Sequence, residues 1–143
     1  MFDTILVAVD DSDQAQAAID LACKLAKLDG AKLLLVNAVD ASKLLMVAGY
    51  ETPYPVDAVQ LLREEGRELL DTVQASCEAR GLSVATVACE GDACDEILRI
   101  AREDKVGLIC MGTHGRKGLS HLFVGSVAEG VVQRSTVPVL VTK

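Results

Sequence analysis

The sequence has no tryptophan, and its two phenylalanines and two tyrosines bring aromatic content to only 3% of 143 residues. A core without large rings must be filled by Val, Leu, Ile and Ala, the mixture that suits parallel strands covered by helices. No apolar run approaches the roughly 20 residues that a membrane span requires. Met1-Phe2-Asp3 opens neither a basic segment nor a long apolar one, so no targeting segment is read. A soluble protein of the cytoplasm is therefore expected. Basic residues are also short: 14 Lys and Arg stand against 21 Asp and Glu, a formal charge of −7. Such a chain lacks the broad basic face that displaces counterions from nucleic acid. A local cluster of donors could still hold one small anion.

The five cysteines include no CxxC pair, and an odd number without a secretory leader fits reduced thiols. Cys89 and Cys94 are close enough in sequence to consider for redox activity, although small buried thiols are the ordinary use of the residue. The two histidines have no carboxylate or thiol neighbours at metal-ligand spacing, which argues against structural zinc.

What the sequence does have is alternation. Short apolar runs are separated by helical patterns, the signature of βαβ units. Residues 4–9 (TILVAV) read as a buried strand, and Asp10-Asp11-Ser12 supplies cap chemistry for a helix on which Ala15, Ala18, Ile19, Ala22 and Leu25 recur. Asp29-Gly30 closes that helix. Further strands are read at 32–39, 82–88, 106–111 and 137–142, and further helices at about 56–79, after Gly91-Asp92, and at about 126–133. Residues 40–56, with Gly49, Pro53 and Pro55, read as a mobile connection able to cover a site. Pro138 cannot donate to a ladder, which puts the last strand at an edge. The expected fold is α/β: one doubly wound sheet of five strands with helices on both faces, residues 1–143 forming one domain.

Two features carry chemistry. Gly112-Thr113-His114-Gly115 begins where a strand ends, and Gly125-Ser126 follows where a helix begins. Doubly wound sheets bind ligands beyond the carboxyl ends of their strands, where strand order reverses. Without Cβ atoms, Gly112, Gly115 and Gly125 let the backbone approach a phosphate and adopt positive φ. Ser126 adds a hydroxyl at the positive end of a helix dipole, and Arg116 and Lys117 add charge. The pattern is neither the ordinary P-loop nor the GxGxxG fingerprint, and the plain alternative is that the glycines only make turns. The second feature is Asp10, at the end of the first strand. It is read either as part of a helix cap or as a contact for a ribose, base or metal.

These residues resemble the universal stress protein family. The pattern G-x2-G-x9-G-[ST] is met by Gly112, Gly115, Gly125 and Ser126. ILVAVDDS near the start, GDACDEILRIAREDKVGLICMGTHGRKGL and the closing STVPVLV are also similar to that family, over essentially the whole chain. The resemblance implies strand order 3-2-1-4-5 and ATP, or another adenine nucleotide, as ligand together with Mg2+. By motif, Gly112, Gly115, Gly125 and Ser126 would hold phosphates, with a backbone contact from Val127. Asp10 would face the adenosine, and Ala8, Val9 and Ala38 would border the base. Thr113, His114, Arg116, Lys117 and Gly118 belong to the same loop. Ala8-Val9 departs from the Pro or Thr that often precedes the first-strand Asp, leaving the shape of the base pocket open.

No positioned nucleophile or general base is evident. His114 and His121 could polarise a water, but neither has a visible carboxylate partner. A binding module that signals through bound nucleotide, with at most slow hydrolysis, is the stronger reading. An ATP-using enzyme and a nucleotide-free interaction dimer are the alternatives. The resemblance suggests a homodimer, and the sequence adds its own reason: an apolar edge strand between Val137 and Thr142 is a liability unless paired. A further protein partner is expected but not identified.

Overall fold

A computed structural model describes residues 1–42, 56–113 and 124–143. Its elements run β1 (Thr4–Ala8), α1 (Asp13–Asp29), β2 (Lys32–Val39), α2 (Val56–Ala79), β3 (Val84–Glu90), α3 (Ala93–Glu103), β4 (Leu108–Gly112), α4 (Ser126–Arg134) and β5 (Val139–Thr142). The strands form one parallel sheet in the order β3-β2-β1-β4-β5. The chain winds outward from β1 to β3, then returns to the other side of β1. The switch point therefore lies between β1 and β4.

Strand alternation divides the core in two. Ile5, Val7 and Val9 share one face with Leu33, Leu35, Leu108 and Cys110, beneath α1 and α2. Leu6, Leu34, Val36, Ile109 and Met111 face the other way, beneath α3 and α4. Because helices cover both faces, β1, β2 and β4 read as nearly continuous apolar runs rather than alternating ones. Ile5, Leu6, Leu33, Leu35 and Ile109 are wholly buried, each contributing on the order of 1.5–3 kcal/mol. No helix among the described residues is long and apolar enough to cross a membrane.

Helix boundaries follow local chemistry. Ser12 caps α1 by accepting from the Ala15 N–H at 3.0 Å, and Gly30, at φ 73°, ends it. Asp92 caps α3 through the Asp95 N–H at 3.0 Å. Val9, Leu82, Val106 and Val137 lie outside the strand boundaries although each belongs to an apolar run. Leu82 and Val106 are buried just before their strands begin. An apolar run measures what is buried, and ladder pairing starts later. The connection read at 40–56 lies mostly outside the described residues.

β5 is an edge strand, as Pro138 indicates: it pairs with β4 alone among the described residues. Pro138 itself is exposed and precedes the strand, where its carbonyl accepts from the Ile109 N–H at 3.0 Å.

Candidate functional site

β1 ends at Ala8, and this residue and the one after it occupy different environments. Ala8 packs toward the α3/α4 face, while Val9 is buried under α1 and α2. The Val9 N–H donates to the Val36 carbonyl at 2.8 Å, and its own carbonyl accepts from Asn37 Nδ2 at 2.9 Å. Asp10, half-buried, then turns the chain: its Oδ1 accepts from the Ser12 N–H at 2.9 Å and from the Ser12 hydroxyl. That bond orients Ser12 as the α1 cap. The two readings of Asp10 therefore do not exclude each other, because one carboxylate oxygen supports the cap and the residue also lines a cleft.

The cleft has a volume of about 610 Å³ and lies at the carboxyl ends of β1 and β2 beside α2, within the usual range for small-molecule sites. Ala38 lines it, as the sequence suggests. Five carboxylate residues line it too: Asp10, Asp11, Asp40, Glu65 and Glu68, with Leu62 and Leu69 as apolar wall. None of its described lining residues is basic. Such a surface favours hydrogen-bond donors and disfavours a polyphosphate chain.

The β4 side is different. Gly112 ends the strand, and a Cβ there would stand 2.7 Å from Gln14 Cβ and 2.9 Å from the Ala15 nitrogen. Its glycine is needed because the first turn of α1 packs directly on it. Thr113 is buried, donates its N–H to the Thr142 carbonyl at 2.8 Å, and accepts the Gly125 N–H on its carbonyl at 2.5 Å. The chain thus leaves the sheet at Thr113 and returns to the same place at Gly125. Gly125 is the N-cap of α4 and offers no side-chain hydrogen bond to it. Ser126, exposed, and Val127, half-buried against the α3/α4 face, form the first turn. Their N–H groups have no intrahelical partner, a consequence of helix geometry. Ser12 and Asp92 fill that role at α1 and α3.

Neither Gly112 nor Gly125 uses positive φ: Gly125 sits at φ −60°, and the described glycines with positive φ are Gly30, Gly81 and Gly91. Close approach, not left-handed backbone, explains Gly112. The Val7↔Cys110 register places β1 and β4 side by side, so Asp10 and the Gly112–Gly125 junction share the carboxyl edge at the switch point. His114, Gly115, Arg116, Lys117 and Gly118 lie outside the described residues.

A sequence-family comparison covers the whole site. The model of the universal stress protein family matches residues 1–143. The chain belongs to that family. Among curated relatives, universal stress protein YxiE of Bacillus subtilis is 33% identical over 148 residues, covering 100% of both chains. Among solved structures, MJ0577 of Methanocaldococcus jannaschii superposes with a TM-score of 0.86 at 29% identity, covering 100% of this chain and 96% of that one. A universal stress protein solved in complex with cAMP shares the fold, with a TM-score of 0.73 at 24% identity over 99% and 97% of the two chains.

Motif reading missed much of the universal stress protein cleft, notably Asn37, Asp40, Glu65, Gly66 and Thr72. Two signals were present. Asn37 is a polar residue inside an apolar strand, and Gly66 interrupts a helical pattern. They belong together, because a Cβ at Gly66 would run into the Asn37 side-chain amide.

Proposed function

We propose that residues 1–143 act as one nucleotide-binding unit that takes ATP at the β1/β4 switch point and serves as a regulatory stress-response module. The observation that carries this reading is the meeting, on neighbouring strands, of an acid-lined cleft with a helix N-terminus that has no side-chain cap. The adenosine belongs in the cleft, where Asp10 and its neighbours accept from ribose hydroxyls and the base amine, and Ala38 borders the ring. The phosphates belong toward Gly112, Gly125, Ser126 and Val127, whose N–H groups and helix dipole favour anions. Ala8 and Val9 shape the base side through backbone position, and Thr113 sets the loop's anchor. His114, Gly115, Arg116, Lys117 and Gly118 complete the phosphate loop in this reading. A relative of the same fold carries cAMP, so the adenosine half of the site is its more general part.

Among the described residues no group of three His, Cys, Asp or Glu could hold a metal ion. Mg2+ would accordingly arrive on the phosphates, as it does at many nucleotide sites. With no positioned base in the reading, turnover is slow and occupancy is the signal. The five free cysteines fit a reducing cytoplasm. The half-buried, singly paired β5 is the surface for a homodimer, and the module's further protein partner would recognise loaded against empty protein.

The test is calorimetric titration of nucleotide-stripped protein with ATP, with and without Mg2+, while released phosphate is followed in the same sample. Saturable binding with negligible turnover supports the reading. Rapid turnover would favour an ATP-using enzyme, and absent binding would leave the glycines structural. Light scattering at micromolar concentration checks the dimer, which a monomeric mass would rule out.

A further inference from the structure

Cys23 and Cys77 lie 54 positions apart, yet their sulfurs stand 3.4 Å from one another in the seam between α1 and α2. All five cysteines are free thiols. Cys89 donates toward the Asn37 carbonyl at 3.6 Å, and Cys94 accepts from Arg134 Nη1 at 3.6 Å. Cys110 is wholly buried in β4. Proximity in sequence points to Cys89 and Cys94, whereas the fold brings Cys23 and Cys77 into contact.

We propose that Cys23 and Cys77 are a two-electron oxidation site, which hydrogen peroxide converts into an intrachain disulfide tying α1 to α2. A disulfide needs the sulfurs at about 2.05 Å, so about 1.4 Å of closure is required, within reach of small rotations about the two Cα–Cβ bonds. Two touching thiols in a core can also be mere packing, and two further features favour reaction. First, Cys77 lies in the last turn of α2, two residues before the helix ends at Ala79, where Arg80 N–H bonds the Cys77 carbonyl at 3.0 Å and Gly81 turns at φ 81°. Helix ends open locally at much lower cost than the whole fold. Second, the seam is covered there by an exposed Asp20–Arg80 ion pair at 3.0 Å, one turn from each cysteine. Such a pair holds the cover weakly. Against these, burial and then the contact with Cys23 push the Cys77 thiol up, and Arg80 offsets this only in part. Cys77 is consequently a poor nucleophile until the turn opens.

The chemistry closes without another reactant. One sulfur, as thiolate, attacks a peroxide oxygen; the O–O bond breaks, giving a sulfenic acid and hydroxide, which takes up the released proton as water. The second sulfur then attacks the sulfenic sulfur, the S–O bond breaks, and the oxygen leaves as a second water with the other thiol's proton. Two thiols lose two hydrogens, and peroxide is reduced to two waters.

The inference does not depend on nucleotide binding, and its test needs none. Folded protein is treated with hydrogen peroxide, quenched by alkylation and mapped by mass spectrometry. The expected product has lost two hydrogens, contains a Cys23–Cys77 cross-linked peptide, and reverts with dithiothreitol. Its Tm should rise by roughly 5–10 °C, from the loop closed in the unfolded chain. Cys23→Ala and Cys77→Ala should each abolish both the cross-link and the shift, whereas Cys89→Ser should keep them. The wild-type peptide map stands even if an alanine variant folds poorly. Two intact thiols after treatment, sulfinic acids in place of the bridge, a cross-link at another pair, or a bridged protein without a raised Tm would each overturn the proposal.

Discussion

The two halves of the sheet's carboxyl edge differ in how they present charge. Beside β1 and β2, five carboxylate residues line a concave cleft. Beside β4, the described chain presents small residues and the first-turn N–H groups of α4, with Glu129 as the acidic residue of that turn. A protein of net charge −7 can thus hold an anion only at a local site, and the contrast sets a direction for any bound nucleotide. Donor-rich groups suit the β1/β2 side, and phosphate suits the β4 side. Neither half makes this argument alone, since an acidic cleft without the α4 terminus would suit any polar donor.

The largest expected effect breaks the comparison at its hinge. Gly112→Val puts branched carbon against the first turn of α1, where even a Cβ has 2.7 Å. Urea denaturation should show a loss of about 2–4 kcal/mol. Lost nucleotide binding in that variant would therefore say nothing about phosphate contacts, which makes Gly112 a poor probe of the site.

Ser126→Glu sharpens the comparison instead. A carboxylate at the start of α4 should leave stability unchanged or raise it by about 0.3–1 kcal/mol. It should also weaken ATP by roughly tenfold, while adenosine binding is unaffected. Equal losses for ATP and adenosine would collapse the division between the halves.

Asp10→Ala tests the other side. Removing the carboxylate that accepts from Ser12 should lower stability by about 1 kcal/mol through a poorer cap. It should weaken adenosine and ATP by the same factor. Unchanged affinity in titrations would leave Asp10 with its capping task alone. The smallest effect is expected from Ser126→Ala, about 0.5–1.5 kcal/mol in ATP affinity and none in adenosine affinity.

Much of this arrangement was legible in the sequence. The apolar runs gave five strands, Pro138 marked the edge, and Ser12, Asp92 and Gly30 acted as the caps their residue types suggest. Strand ends were less legible, because Val106 and Leu82 are apolar for burial rather than for pairing. The glycine-rich stretch identified the β4 junction but not why Gly112 must be glycine, which depends on a helix 98 positions earlier in the chain. The acidic cleft wall was the least legible part. Glu65 and Glu68 look like ordinary exposed positions on a long helix, and only tertiary packing brings that stretch of α2 over the ends of β1 and β2. The Cys23–Cys77 contact is hidden for the same reason, its residues being 54 positions apart in sequence and adjacent in space.

The division of the edge is tested most directly by mapping backbone amide shifts in NMR spectra while adenosine, inorganic triphosphate and ATP are added separately. The account predicts that adenosine moves the amides of Asp10, Asn37 and Ala38, that triphosphate moves those of Gly125, Ser126 and Val127, and that ATP moves both sets. Triphosphate perturbing the acidic cleft, or ATP leaving Gly125, Ser126 and Val127 unmoved, would contradict it.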